Sequence, residues 1–103
     1  MRSKLIAAGL FVLVVTMGTA EAGGDVAAGK QKSATCAGCH GVDGKGKAPN
    51  PALAGLEQRY IVHQLEDYKS GARQNPTMKM FASQLSDQDM ADVAAYFASL
   101  KAK

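Results

Sequence analysis

The sequence predicts an all-α domain built on three main helices. Three observations carry this. Three stretches read as helices, and the second and third place their apolar residues three and four positions apart, the period of a single helix face. The strict apolar–polar alternation of half-buried strands does not occur. Each of the three stretches also carries a residue suited to capping a helix end.

The first 22 residues stand apart from this domain. Arg2 and Lys4 give a positive start, residues 5–15 are an unbroken apolar run, and residues 16–20 turn small and polar. Ala20-Glu21-Ala22 then fits a small-x-small cleavage site. A retained membrane anchor is the alternative, but the run is well short of the roughly 20 apolar residues that cross a bilayer. Residues 1–22 are therefore expected to be a cleaved signal peptide. It would deliver residues 23–103 to the periplasm, with no stable membrane insertion after cleavage.

The first helix is expected from about residue 25 to residue 36, with Asp25 as N-cap and Gly29 inside it. A glycine there costs roughly 1 kcal/mol against alanine in an exposed helix, a cost that close approach of another helix would explain. Residues 41–55 read as loop, because Gly41, Gly44, Gly46, Pro49, Pro51 and Gly55 break every periodic pattern. The second helix is expected over 57–70, with Ile61, Leu65 and Tyr68 as its apolar stripe and Gly71 as its stop. Residues 71–80, including Asn75, Pro76, Met78 and Met80, read as a connecting loop. Ser86 and Asp89 then form a capping-box pattern that opens the third helix, whose face is Met90, Val93, Ala94, Phe97 and Leu100.

Size and charge narrow the function. Twelve basic and nine acidic residues give a net charge of +3, which becomes +2 once Arg2, Lys4 and Glu21 leave with the signal. The lysines are scattered and there is no tryptophan, so the surface does not suit nucleic acid. A domain of about 80 residues is marginal without a staple or cofactor. Only two cysteines are present, three positions apart, and a bridge between them would close too short a loop to stabilise much. A large apolar cofactor would complete such a core.

The run Cys36-Ala37-Gly38-Cys39-His40 supplies the means to hold one. Thiols at i and i+3 on a helical turn point to one side, where each can add across a haem vinyl group. His40 follows at once and can reach the iron from that side. A thioredoxin-like dithiol would need a βαβ setting, and a zinc site would need two further ligands where only His63 remains. His63 faces away from its helix's apolar stripe. A plain disulfide would explain neither His40 nor the small core. The reading is one covalent haem c, with Cys36 and Cys39 as thioether residues and His40 as an axial iron ligand. Met78, Met80, Met90 and His63 are the possible partners on the iron's other face. Met90 lies on the apolar stripe of the third helix and is better read as core, which leaves Met78 and Met80.

The order of helix, CxxCH, Pro/Gly loop, helix, methionine segment and final helix resembles the class I cytochromes c. It is most similar to small bacterial periplasmic mono-haem members and to one half of the tandem two-haem cytochromes c. The residues that carry the resemblance are CAGCHGVDG at 36–44, PALAG at 51–55, Arg59-Tyr60, residues 75–78 and LSDQDMADVAAYFASL at 85–100. The resemblance implies three main helices wrapped around one haem, and Gly29 at a crossing of the first and last helices near Tyr96 or Phe97. It implies that the Pro51 carbonyl accepts a hydrogen bond from His40 and that Arg59 lies near the haem propionates. In family members with a similar final-helix start, the methionine ligand falls eight residues before the serine, which selects Met78 and leaves Met80 as the alternative.

The expected function is electron transfer, one electron at a time, with no substrate transformed. The expected partners are other redox proteins such as a respiratory dehydrogenase, oxidase or reductase, met by a monomer. A sensor or peroxidase-like protein with an open iron position is the rival class, and a subunit of a larger redox complex is a third.

Overall fold

The computed structural model describes Gly9 and residues 23–102, so the expected signal peptide otherwise lies outside the described residues. Five helices follow one another: α1 (Val26–Lys32), α2 (Ala34–His40), α3 (Gln58–Ser70), α4 (Pro76–Ser83) and α5 (Asp87–Ser99). The all-α reading holds, and the three-helix count becomes five. No helix among the described residues is long and apolar enough to cross a membrane.

Two corrections account for the added helices. The expected first helix breaks at Ser33 and resumes to His40, four residues past its predicted end. Ser33 is buried, and its hydroxyl donates to the Lys30 carbonyl at 2.9 Å. That side-chain bond offers the backbone an alternative to continuing the α1 ladder. The second correction is the methionine segment, which is helix α4 and not a loop. Asn75 Oδ1 accepts the Met78 N–H at 3.0 Å as N-cap, and Pro76 takes the first turn. Proline needs no donor partner there, and its fixed φ suits a helix start.

The other boundaries stand within a residue or so. Gly71 ends α3 at φ 88°, a left-handed position that suits glycine. Ser86 and Asp89 complete a reciprocal capping box at the start of α5.

The core lies between α3 and α5. Ile61 and Leu65 pack against Met90, Val93, Ala94 and Phe97. On the other side of α5, α1 crosses so closely that a Cβ on Gly29 would stand 1.9 Å from the Asp92 carbonyl oxygen and 2.9 Å from Tyr96 Cβ. Glycine is needed there because backbone meets backbone. The crossing is tied by Asp92, whose side chain is almost fully buried. Its carboxylate accepts the Asp25 N–H at 2.8 Å, Gln88 Nε2 at 2.8 Å and Lys32 Nζ at 2.6 Å. Lys32 also pairs with Asp89 at 2.8 Å.

Candidate functional site

A cavity of about 460 Å³ opens between α2, α3, α4 and α5. That volume falls within the range of sites that take organic ligands and cofactors. Leu53, Ile61, Leu65, Phe81, Val93 and Phe97 make its wall largely apolar. Cys36, Cys39 and His40 from α2 stand at one side, and Met78 from α4 also lines it.

Helix α2 brings its three residues together by its own period. Cys36 is half-buried, Cys39 exposed and His40 buried. Burial pushes the Cys36 thiol above its ordinary value of 9.0. A redox-active dithiol needs the opposite shift, toward an easily formed thiolate.

The loop after α2 fixes the imidazole. His40 Nδ1 lies 2.8 Å from the Pro51 carbonyl oxygen. A carbonyl only accepts, so Nδ1 is the donor, and the neutral tautomer that makes this bond presents Nε2 as its lone-pair nitrogen. The same loop folds back on α2 through Gly46 N–H to His40 O at 2.8 Å and Asn50 Nδ2 to Cys39 O at 3.0 Å. The prolines and glycines that break every periodic pattern here thus build a brace for one side chain.

The two methionines part company. Met78 is half-buried, packs against the core and lines the cavity. Met80, two residues on along α4, is 54% exposed and lies outside the cavity wall. Met90 is buried core, and His63 sits on the outer face of α3, 3.4 Å from Asp67.

Arg59 does not reach the cavity. Its side chain is 90% exposed and stands 3.7 Å from Glu57 Oε1. Two positions before Ile61, it points away from the face that α3 turns to the core. The arginine on the cavity wall is Arg73, which the sequence reading did not single out. It lies between helices, where no periodicity marks a side chain as facing inward. Gln64 and Tyr68 join it on the wall, and of these three only Tyr68 was visible as part of a stripe.

The cytochrome c family model matches residues 26–101. The chain belongs to the cytochrome c family. Among its relatives, cytochrome c4 of Pseudomonas aeruginosa is 50% identical over 100 residues, covering 96% of this chain and 49% of that protein. Cytochrome c-554(548) of Halomonas halodenitrificans is 44% identical over 80 residues, covering 74% of this chain and 96% of that one. The crystal structure of reduced cytochrome c4 from Pseudomonas stutzeri superposes with a TM-score of 0.73 at 44% identity, over 78% of this chain and 47% of that one. The chain spans about half the length of the cytochromes c4 that it matches. Membership implies haem c as a covalent cofactor, and Cys36, Cys39 and His40 fit the CxxCH pattern. The cavity suits such a group: apolar walls, two thiols and a buried imidazole whose Nδ1 is engaged by the Pro51 carbonyl.

Proposed function

We propose that this chain is a periplasmic electron carrier that passes one electron at a time between other redox proteins. The observation that carries the reading is an apolar cavity lined by Cys36, Cys39, His40 oriented by the Pro51 carbonyl, and Met78. The signal-like residues 1–22 support export, with residues 23–103 as the working domain.

Each residue has a role in this reading. The Cys36 and Cys39 thiols would hold the haem through thioethers formed on its two vinyl groups, each thiol supplying its own hydrogen to the second vinyl carbon. His40 would hold the iron through Nε2, while the Pro51 carbonyl accepts from Nδ1, orients the ring and raises its basicity. Met78 would hold the iron through a neutral thioether, a ligand that favours its reduced state. Held there, a haem would supply the one-electron chemistry, and the chain its ligands and its apolar surroundings. With His40 and Met78 both supplied by the chain, no outside ligand would need to bind or leave. The apolar wall limits solvent reorganisation around the changing charge. The protein transforms no substrate and works as a monomer.

The test is spectroscopic. The purified protein should retain haem through acid–organic extraction, show the weak far-red band of iron–thioether ligation, and not bind carbon monoxide. Met78→Ala should abolish that band and admit carbon monoxide, whereas Met80→Ala should keep the band. Carbon monoxide binding by the unmodified protein would overturn the carrier reading in favour of a sensor or peroxidase-like one.

A second reading draws on two relatives. A thiosulfate dehydrogenase electron acceptor of Stutzerimonas stutzeri is 46% identical over 69 residues. The thiosulfate dehydrogenase of Marichromatium purpuratum contains a similar fold at a TM-score of 0.69 and 33% identity. The chain would then serve one dedicated dehydrogenase. Co-purification with such an enzyme separates this from a free shuttle.

A further inference from the structure

Helix α4, which carries Met78, has eight residues, too few to be stable in water on its own. Its backbone lies close to α3 and, among the described residues, to no other helix. Its first turn is therefore held largely by what caps it, and Asn75 supplies that hold. Asn75 Oδ1 accepts the Met78 N–H at 3.0 Å, and the Asn75 carbonyl accepts the Lys79 N–H at 2.8 Å. Pro76 has no N–H to add. Met78 is the third helical residue and lies inside the turn that the cap closes. Helical side chains lean toward the N-terminus, which sets the Met78 side chain over that same turn. Asn75 and Met78 both line the cavity.

Resting on the reading that Met78 binds the haem iron, we propose that Asn75 is its positioning residue: the side-chain cap on the Met78 N–H keeps the thioether in place and sets how readily another ligand displaces it. With that N–H held, the thioether leaves the iron only as the first turn of α4 opens. An outside ligand then meets an apparent affinity scaled by the fraction of molecules in which the turn is open. Replacing an asparagine cap with alanine raises that fraction about fivefold, whereas serine caps about as well as asparagine. Ser86 is a cap of the same kind, with Oγ accepting the Asp89 N–H at 3.0 Å. It follows the opposite end of α4 from Asn75, so its loss weakens the fold without freeing Met78.

The experiment titrates the ferric holoprotein with imidazole and follows loss of the far-red iron–thioether band. It compares the unmodified chain with Asn75→Ala, Asn75→Gly, Asn75→Ser and Ser86→Ala, and records the thermal unfolding of each. The imidazole midpoint should fall about fivefold in Asn75→Ala and about twofold in Asn75→Gly, a cap of intermediate strength. Asn75→Ser and Ser86→Ala should keep the unmodified midpoint, although Ser86→Ala lowers Tm as Asn75→Ala does. A purely structural role for Asn75 predicts equal midpoints in Asn75→Ala and Ser86→Ala, and that result would overturn the assignment. So would failure of imidazole to displace the thioether from Asn75→Ala, or an Asn75→Ser midpoint matching that of Asn75→Ala. If Asn75→Ala retains no haem, Asn75→Gly decides, and an unchanged midpoint there overturns the assignment. Absence of covalent haem or of the far-red band in the unmodified protein would overturn the reading of Met78 as ligand together with this assignment. An intact band with a flat series of midpoints overturns this assignment alone.

Discussion

Replacing Gly29 with alanine separates packing from helix propensity, because the two predict opposite signs. Propensity alone favours alanine by about 1 kcal/mol in a helix interior. The added Cβ would, however, stand 1.9 Å from the Asp92 carbonyl oxygen, and ordinary contact begins near 3.4 Å. Neither neighbour is a flexible side-chain tip, so α1 must retreat from α5 by about 1.5 Å, the difference between those distances. That retreat stretches the Asp25 N–H to Asp92 bond and the Lys32 contacts, now 2.6–2.8 Å, toward the limit of hydrogen bonding. The Asp25 N–H bond to the buried Asp92 carboxylate is worth roughly 1.5–3 kcal/mol, and overpacking costs about 1–3 kcal/mol. The net is a destabilisation of about 2–4 kcal/mol, or roughly 10–25 °C in Tm for a domain of this size. Thermal unfolding of the holoprotein followed by far-UV circular dichroism reads it directly. Gly38→Ala is the control, since Gly38 also sits in a helix but a Cβ there meets nothing within 4 Å. It should be neutral or stabilising by up to about 1 kcal/mol. A Gly29→Ala protein as stable as the parent, or one that moves with Gly38→Ala, would refute the argument from close approach.

The same crossing should be sensitive to acid. Lys32 first, then the Ser86 cap, holds the Asp89 carboxyl down to about 2 from 3.8, and Lys32 also lowers Asp92. Both carboxyls are depressed on folding, so their stabilisation is fully present above about pH 4 and is lost as pH falls toward 2. Tm measured across that window should drop, and Lys32→Gln should flatten the decline. The doubly substituted Cys36→Ala, Cys39→Ala chain should be largely unfolded by circular dichroism, because its apolar cavity wall would otherwise face water. A cooperative melt with full helix content would contradict this. N-terminal sequencing of periplasmic material should begin at Gly23, and an intact Met1 on membranes would refute cleavage.

What the sequence made legible follows what is periodic or locally bonded. Ile61, Leu65, Val93 and Phe97 repeat at helix spacing, and the residues that face inward do so because of that spacing. The box at Ser86 and Asp89 closes within four residues and could be read directly. Asn75-Pro76 carried an equally local signal for α4, an N-cap followed by proline in the first turn. The division at Ser33 depends on one side-chain bond to Lys30, which apolar periodicity does not encode. Arg73 and Asp92 were less legible still. Each owes its place to contacts with residues from other segments or turns: Arg73 to Gln64 and Tyr68, Asp92 to Asp25, Lys32 and Gln88. A polar residue's burial depends on partners that only the fold assembles.

Those partners matter beyond stability because of how α5 is divided. Val93 and Phe97, four apart, face the cavity. Asp92 and Tyr96, one residue earlier in each turn, face α1 at Gly29. The two stripes lie side by side on one helix, so α5 cannot roll to improve one contact without spoiling the other. Asp92 opposes such a roll with bonds to Lys32 and to the backbone at Asp25, which lie beyond α5 itself. The Gly55 N–H bonds to the Phe97 carbonyl at 3.0 Å and ties the loop after Pro51 to the same helix. The carbonyl that orients His40 and the apolar wall opposite are therefore referenced to one rigid element. Electron transfer with little reorganisation requires that the ligand and the wall hold still together. An ion-paired helix crossing remote from the cavity contributes to that by fixing the angle of α5.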